Sequence, residues 1–262
     1  METTIGKYRL GRVLGSGGMG RVFAAHDTVL EREVALKRMH GTAQASPESR
    51  ERFAREARAI AALRHPNVVQ IYDHGLAEDG SLYTVMELLE GEDLGHRLGR
   101  VTSLTPGAFA PILVQVAAAL DAAHSARIVH RDLKPENIFI TSHGTESVVK
   151  ILDFGVASIQ GQLATKDSHL TRQNQLLGTP AYMSPEQAEG LAVDHRSDLW
   201  SLGAIAYQAL TGRLPFRGEN AVATLIRICT REPEPPTSLV ASLPRELDRF
   251  FARALSKDPG GR

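Results

Sequence analysis

The sequence has one cysteine, Cys229, so it can form no intrachain disulfide and no cysteine-ligated zinc cluster, and a reducing compartment suits it. It has no excess of charge, since 30 basic side chains stand against 30 acidic ones. A nucleic-acid binder or an acidic-membrane binder would need a basic surplus, and that argument is missing. The opening Met1-Glu2-Thr3-Thr4 carries neither the basic nor the apolar region of a secretion signal. The most apolar stretch, Phe109 to Ala123, is interrupted by Pro111, Gln115 and Asp121 and reads as too short to span a bilayer. There are no repeats and no low-complexity tract. These exclusions lead to the expectation of a cytoplasmic protein with no nucleic-acid partner and no membrane segment in this chain. With 42% hydrophobic and 23% charged residues over 262 positions, a sizeable core is available for one large or two modest domains.

The first part of the chain reads as strands. Tyr8 to Leu14 runs into a glycine-rich turn, and Arg21 to Ala25 and Glu33 to Lys37 follow. A helix then starts with Ser46 as its cap, Pro47 at the first helical position and Glu48 in the first turn, and it ends short of Pro66. Two more strands are expected around Val68 to Asp73 and Leu82 to Glu87. After a turn at Glu90-Gly91-Glu92-Asp93 the character changes. An alanine-rich helix covers Phe109 to Ala126, and short strands cover Ile138 to Ile140 and Val148 to Leu152. Asp198 to Leu210 is apolar on nearly every face, which implies a helix buried within a domain. A helix near Glu219 to Thr230, a link with Pro233, Pro235 and Pro236, and a helix near Arg245 to Leu255 complete the chain. The pattern predicts a small sheet-rich lobe followed by a larger helical one, with a cleft between them as the default ligand site.

Gly15-Ser16-Gly17-Gly18-Met19-Gly20 has the spacing of a loop whose backbone amides can approach phosphates, and alone it is weak evidence. In a dinucleotide-binding fold the same glycines would open a helix, but here they open the extended Arg21-Val22-Phe23. Lys37 closes a strand, where an exposed lysine is the ordinary explanation. Glu56 argues for more. It shares the inward face of its helix with Phe53, Ala57 and Ile60, where a carboxylate is costly without a partner. Arg52 could supply one locally, and Lys37 reaching from the sheet would do so and be held in place.

The densest signal is His130-Arg131-Asp132-Leu133-Lys134-Pro135-Glu136-Asn137, followed by Asp153-Phe154-Gly155. Asn137 precedes one short strand and Asp153 follows the next. If the two strands pair through a turn at Thr141 to Ser147, Asn137 and Asp153 become neighbours at the open end. Two oxygen ligands there suit Mg²⁺, which takes a few protein oxygens plus phosphates and waters. Asp132 faces the same end, and Lys134 could reach the same transferring phosphate. His130 reads as structural, and the ten histidines form no convincing metal-binding set.

Gly15 to Val22, Val34-Ala35-Leu36-Lys37, Glu56, His130 to Asn137, Asp153-Phe154-Gly155 and Ser184-Pro185-Glu186 together resemble the signature set of the protein kinase family. The resemblance runs from Tyr8 to Arg262. The glycine loop and Gly178 to Glu186 look most like bacterial Hanks-type (eukaryotic-like) Ser/Thr kinases, and Lys134 and Thr179 fit Ser/Thr rather than Tyr specificity. It implies an α+β fold: a bilobal kinase domain over 1–262, with a small antiparallel-sheet N-lobe bearing one regulatory helix (about 1–88) and a larger, mainly helical C-lobe (about 89–262). It implies ATP with Mg²⁺, Mn²⁺ being a second ion that fits, protein substrates, and a homodimer as a route to autophosphorylation.

By the same resemblance, Lys37 holds the nonterminal phosphates and is positioned by Glu56. Leu14, Val22, Ala35 and Phe139 sandwich adenine, with Met86 as gatekeeper. The backbone of Glu87 and Leu89 bonds the base, Asp93 the ribose, and Glu136 belongs to the nucleotide contacts with Gly15 to Gly20. Asp132 accepts the proton of the attacking hydroxyl, Lys134 neutralises the γ-phosphate, and Asn137 and Asp153 hold the metal. Ile60, Ile71, His130 and Phe154 match a hydrophobic column with Asp198 at its base. Neither Lys37 nor Asp132 is expected in the core. Serine stands at Ser184 where the family usually has alanine. The family also continues past the position of Arg262 through the rest of a final helix, so a shortened chain or the kinase part of a longer protein is expected. A pseudokinase scaffold is the alternative, but Lys37, Asp132 and Asp153, whose loss usually marks one, are all present. A small-molecule kinase would lack the Gly178 to Glu186 segment, which looks like a platform for an extended peptide.

Two further expectations concern regulation and the chain end. Arg131 has no carboxylate in its own motif to pair with. Phosphorylation in the polar stretch Gln160 to Gln175, which holds Thr165, Ser168 and Thr171, would supply one. Thr171 is favoured because it lies closest to the substrate-facing segment. By resemblance, Arg262 pairs with Glu186.

Overall fold

The structure, a computed structural model, describes residues 3–17, 20–40, 46–143, 146–154 and 180–262. These fall into two compact units, one up to Glu90 and the other from Gly91 onward.

In the first unit the segments pair over a shared apolar core. β1 (Thr4–Ile5), β2 (Tyr8–Gly17), β3 (Gly20–Asp27), β4 (Arg32–Met39), β5 (Ile71–Leu76) and β6 (Leu82–Glu87) form an antiparallel sheet in the order β1-β2-β3-β4-β6-β5. Ile5, Tyr8, Ala25, Val34, Leu36 and Val85 are buried together on it. β2 runs past the expected Leu14 because its ladder with β3 continues to Gly17↔Gly20. Glycine is needed at Gly20, where a Cβ would collide with the Arg38 carbonyl on β4. β5 starts three residues later than the sequence pattern predicts, at Ile71. The helix α1 (Pro47–Ala62) buries Phe53, Ala57 and Ile60 and ends before Pro66, as the proline requires.

In the second unit, β7 (Gly91–Asp93), β8 (Ile138–His143) and β9 (Glu146–Ile151) form a small antiparallel sheet in that order. Gly91-Glu92-Asp93, expected as a turn, is a strand, because β8 offers a partner edge from Phe139 to Thr141. Around the sheet are α2 (Leu94–Val101), α3 (Pro106–Ser125), α4 (Pro185–Ala188), α5 (His195–Thr211), α6 (Ala221–Thr230), α7 (Pro236–Leu239) and α8 (Glu246–Ala254). α5 is the buried helix the sequence predicts, with Trp200, Ala204, Ile205 and Ala209 fully enclosed. Asp194 caps it and Gly212, at φ 72°, ends it.

α3 corrects the expectation that its apolar stretch is too short to cross a bilayer. It has 20 residues, with a mean hydropathy of 1.4, and by length and composition it could span one. Its apolar side is used otherwise, since Phe109, Ile112, Val116, Ala119, Leu120 and Ala123 are buried where the helix packs on α5 and β9. Pro111 lies inside the helix, in its second turn, where its missing N–H removes one backbone hydrogen bond.

Candidate active site

The loop before β8 ends in a single 3-10 turn, Pro135–Asn137. β8 pairs with β9 from Ile138↔Ile151 out to His143↔Glu146, so the paired strands are longer than expected. At the open end, Leu152 donates its backbone N–H to the Asn137 carbonyl at 2.9 Å. Asp153 is therefore one residue from the partner of Asn137, which is the juxtaposition the motif spacing requires. The side chain of Asn137 is buried and donates from Nδ2 to the Asp132 carbonyl at 2.8 Å, leaving the amide oxygen as its remaining ligand atom. Lys134 Nζ lies 2.8 Å from Asp132 Oδ2, so these two charges meet directly. Asp132, Lys134, Asn137 and Asp153 thus gather at one end of one hairpin.

Two of the loop's neighbours hold a strained backbone. Arg131 has φ 67° and Asp153 φ 59°, left-handed conformations that cost side-chain-bearing residues about 1–3 kcal/mol each. The surrounding bonds over-determine them. Asp198, fully buried on α5, accepts the backbone N–H of His130 on Oδ2 at 2.8 Å and that of Arg131 on Oδ1 at 2.9 Å. His124 Nε2 lies 2.7 Å from Asp198 Oδ2. His130 faces the Leu152 carbonyl with Nε2 at 2.8 Å and accepts the Asp132 N–H on Nδ1 at 3.3 Å. A carbonyl can only accept, so the ring carries its proton on Nε2. His130 is therefore structural, as its sequence context suggests, and its ring packs against Phe154 at 4.8 Å.

In the first unit, Lys37 lies opposite Val22 and Thr84 in the sheet. It is only 6% exposed, which corrects the expectation that it stands outside the core: β4 is an inner strand of the sheet. Glu56 is half-buried on α1 beside Phe53, Ala57 and Ile60. Ala35 and Met86 face each other in register and both are buried, with Ile71 on the other side of Met86. The N–H of Glu87 is committed to the Gln70 carbonyl at 3.0 Å. Leu14, Gly15, Ser16 and Gly17 are at the β2 end of the β2–β3 ladder, with Leu14 exposed and Val22 half-buried.

In the second unit, Asp93 caps α2 by accepting the His96 N–H at 2.9 Å, a role beyond the one the resemblance gives it. Phe139 is half-buried opposite Asp93 on β7, and Glu136 is exposed. The Arg131 guanidinium is exposed and, among the described residues, makes no ion pair. Gly18, Met19 and Thr171, with Thr165, Ser168, Gly155, Gly178, Thr179 and the side chain of Arg52, lie outside the described residues.

Glu186 and Arg262 meet as two parallel hydrogen bonds, Nη1 to Oε1 at 2.7 Å and Nη2 to Oε2 at 2.9 Å, with both side chains buried. Burial alone would raise the Glu186 pKa. The guanidinium, the Ser197 hydroxyl and a backbone N–H outweigh it and hold the carboxyl at about 2.

Several residues escape sequence reasoning. His124, Ser197 and Gln187, whose amide donates to the Arg131 carbonyl at 2.7 Å, all bond to positions distant in the chain, and no local pattern marks them. The donor set suits a hard cation. Asn137 and Asp153 offer oxygen, and among the described residues no group of three or more His, Cys, Asp or Glu could hold a metal by itself. That leaves coordination places for phosphate oxygens and water.

The model of the protein kinase domain family matches residues 8–262. The chain is 44% identical over 265 residues to the serine/threonine-protein kinase pkn3 of Myxococcus xanthus, covering 100% of this chain and 48% of that protein. It is 39% identical over 263 residues to the probable serine/threonine-protein kinase PknB of Corynebacterium glutamicum, covering 98% of this chain and 40% of that one. Among solved structures, the Mycobacterium tuberculosis PknI kinase domain superposes with a TM-score of 0.78 at 28% identity, covering 100% of this chain and 92% of that one. The chain thus spans about half or less of the length of the curated relatives it matches. With the hairpin geometry and these likenesses in agreement, the chain belongs to the protein kinase family and has its α+β fold, among relatives that are bacterial Ser/Thr kinases.

Proposed function

We propose that this chain transfers the γ-phosphoryl group of ATP to serine or threonine hydroxyls of protein substrates, with 1–262 acting as one catalytic domain of N-lobe and C-lobe, about 1–88 and 89–262. The observation that supports it most is the gathering of Asp132, Lys134, Asn137 and Asp153 at the open end of the β8–β9 hairpin. Asp132 orients the acceptor hydroxyl and takes its proton as the oxygen attacks phosphorus. Lys134, already on the Asp132 carboxylate, offsets negative charge on the phosphoryl oxygens. Asn137 and Asp153 would hold a divalent ion, Mg²⁺ in this reading with Mn²⁺ a second that fits, which supplies charge neutralisation at the phosphates when bound. Lys37, positioned by Glu56, takes the nonterminal phosphates. The remaining nucleotide contacts named from the resemblance belong to the same proposal. Such a site works by positioning and electrostatics, because the transition state spreads charge over the phosphoryl oxygens.

Phosphate on Thr171 would give the exposed Arg131 guanidinium its missing partner, and a homodimer phosphorylating itself in trans would place it there. Use of ATP places the domain in the cytoplasm. The direct test is incubation with ATP labelled in the γ-phosphate, Mg²⁺ and a general protein acceptor, followed by phosphoamino-acid analysis. Label on serine and threonine, abolished by a metal chelator, is expected. No transfer, or label confined to tyrosine, would overturn the assignment.

A further inference from the structure

Gln187 is the third residue of α4, and both ends of its amide are engaged. Oε1 accepts the Ser184 N–H at 3.1 Å and the Ser184 hydroxyl at 3.2 Å, while Ser184 Oγ accepts the Gln187 N–H at 3.3 Å, a reciprocal helix cap. The other end, Nε2, donates to the Arg131 carbonyl at 2.7 Å. The amide has only one orientation that serves both ends, because a backbone N–H can only donate and a backbone carbonyl can only accept.

That carbonyl belongs to the peptide unit that carries Asp132. The N–H of the same unit donates to His130 Nδ1 at 3.3 Å, and the N–H of the preceding unit is held by Asp198 Oδ1 at 2.9 Å. Arg131, between the two units, has φ 67°, a conformation its side chain disfavours and the neighbours must impose. Gln187 is the restraint on the carbonyl side.

We propose that Gln187 is a positioning residue for Asp132: it fixes the plane of the Arg131–Asp132 peptide and so the aim of the carboxylate at the acceptor hydroxyl. The inference rests on the role given to Asp132 above. It also ties α4, which follows the substrate-facing segment, to the catalytic loop, so the two are set by one side chain.

A purely structural role, capping α4, would make the same contacts with Ser184. Glutamate separates the two. Ser-x-x-Glu is as good a capping box as Ser-x-x-Gln, but a carboxylate cannot donate to the Arg131 carbonyl and repels it. Gln187→Glu therefore keeps the cap and removes the restraint, while Gln187→Met removes both. Wild type and the two variants would be compared for thermal midpoint, KM for ATP and kcat. For Gln187→Glu the expected result is an unchanged midpoint, an unchanged KM for ATP and a kcat lower by about tenfold or more, as a misaimed proton acceptor would give. For Gln187→Met both midpoint and kcat should fall. A wild-type kcat in Gln187→Glu, or a kcat loss matched by the same fall in midpoint as in Gln187→Met, would overturn the proposal. A wild-type enzyme with no transfer in the same assay would instead overturn the catalytic reading beneath it.

Discussion

Two regions of the second unit treat buried polar groups in opposite ways. Around the loop from His130 to Asn137, side chains from α4 and α5 and the backbone carbonyl of Leu152, just after β9, supply partners, and each backbone group named above has one. Beneath α5, around Trp200, the arrangement is looser. Trp200 and Phe216 stack with centroids 5.5 Å apart, and the Lys257 ammonium lies 3.8 Å from the Phe216 centroid and 4.8 Å from that of Trp200. Among the described residues, neither Lys257 Nζ nor Trp200 Nε1 has a hydrogen-bond partner. Burial pulls the Lys257 pKa down to about 8, and aromatic faces are what the cation has instead of water. Arg262 lies over the same indole at 4.9 Å but is paired with Glu186. The contrast teaches where precision is spent. The backbone of the loop that carries Asp132 is bonded from several segments, whereas the groups around Trp200 rest on rings.

Removing one partner from a satisfied pair should cost most. Glu186→Ala and Arg262→Ala should each destabilise by about 3–5 kcal/mol, since either leaves a buried charge alone. The double variant should fall well short of the sum, because both remove one interaction, and denaturant unfolding of the four proteins checks this. Strict additivity would mean the residues do not meet. The pair also predicts an acid response. The folded pKa of Glu186, about 2, lies below the ordinary 4.5, so its contribution is complete above pH 4.5 and is lost as pH falls through about 2. Glu186→Ala should lack that component of acid unfolding.

The unsatisfied region should give the smaller effect. Lys257→Met keeps the volume and removes the cation, so stability at pH 7 should change by no more than about 1.5 kcal/mol. The sharper sign is in the pH dependence. The folded pKa of about 8 lies below the ordinary 10.5, so between these values the unfolded chain binds more protons and wild-type stability should rise with pH. Lys257→Met should be flat by comparison. Equal slopes for the two proteins would contradict a buried ammonium at Lys257.

The sequence made the site legible where its chemistry is packed into short motifs. Asp132, Lys134, Asn137 and Asp153 could be brought together by pairing two short strands, because a hairpin is a local structure with few registers. The buried helix at His195–Thr211 was equally plain from its all-round apolarity. β7 was not, since Glu90-Gly91-Glu92-Asp93 is a turn by composition and becomes a strand only through an edge nearly fifty residues later. α2 was missed because Gly95 and Gly99 are poor helix formers. It stands on the Asp93 cap and on buried Leu94 and Leu98. Gln187 and Lys257 were invisible for the same reason at larger range: a Gln in a capping box and a Lys near a chain end are ordinary until the fold brings Arg131 or Trp200 beside them.

If Asp132 is the proton acceptor of the proposed transfer, its loss should spare nucleotide binding, whose proposed contacts lie elsewhere in the chain. The most direct measurement is a single-turnover assay of Asp132→Asn, with nucleotide binding and phosphoryl transfer followed in the same sample. ATP binding close to wild type and transfer slower by about a hundredfold or more are expected, as when a positioned proton acceptor is removed. Transfer at the wild-type rate, with ATP saturating, would contradict that role.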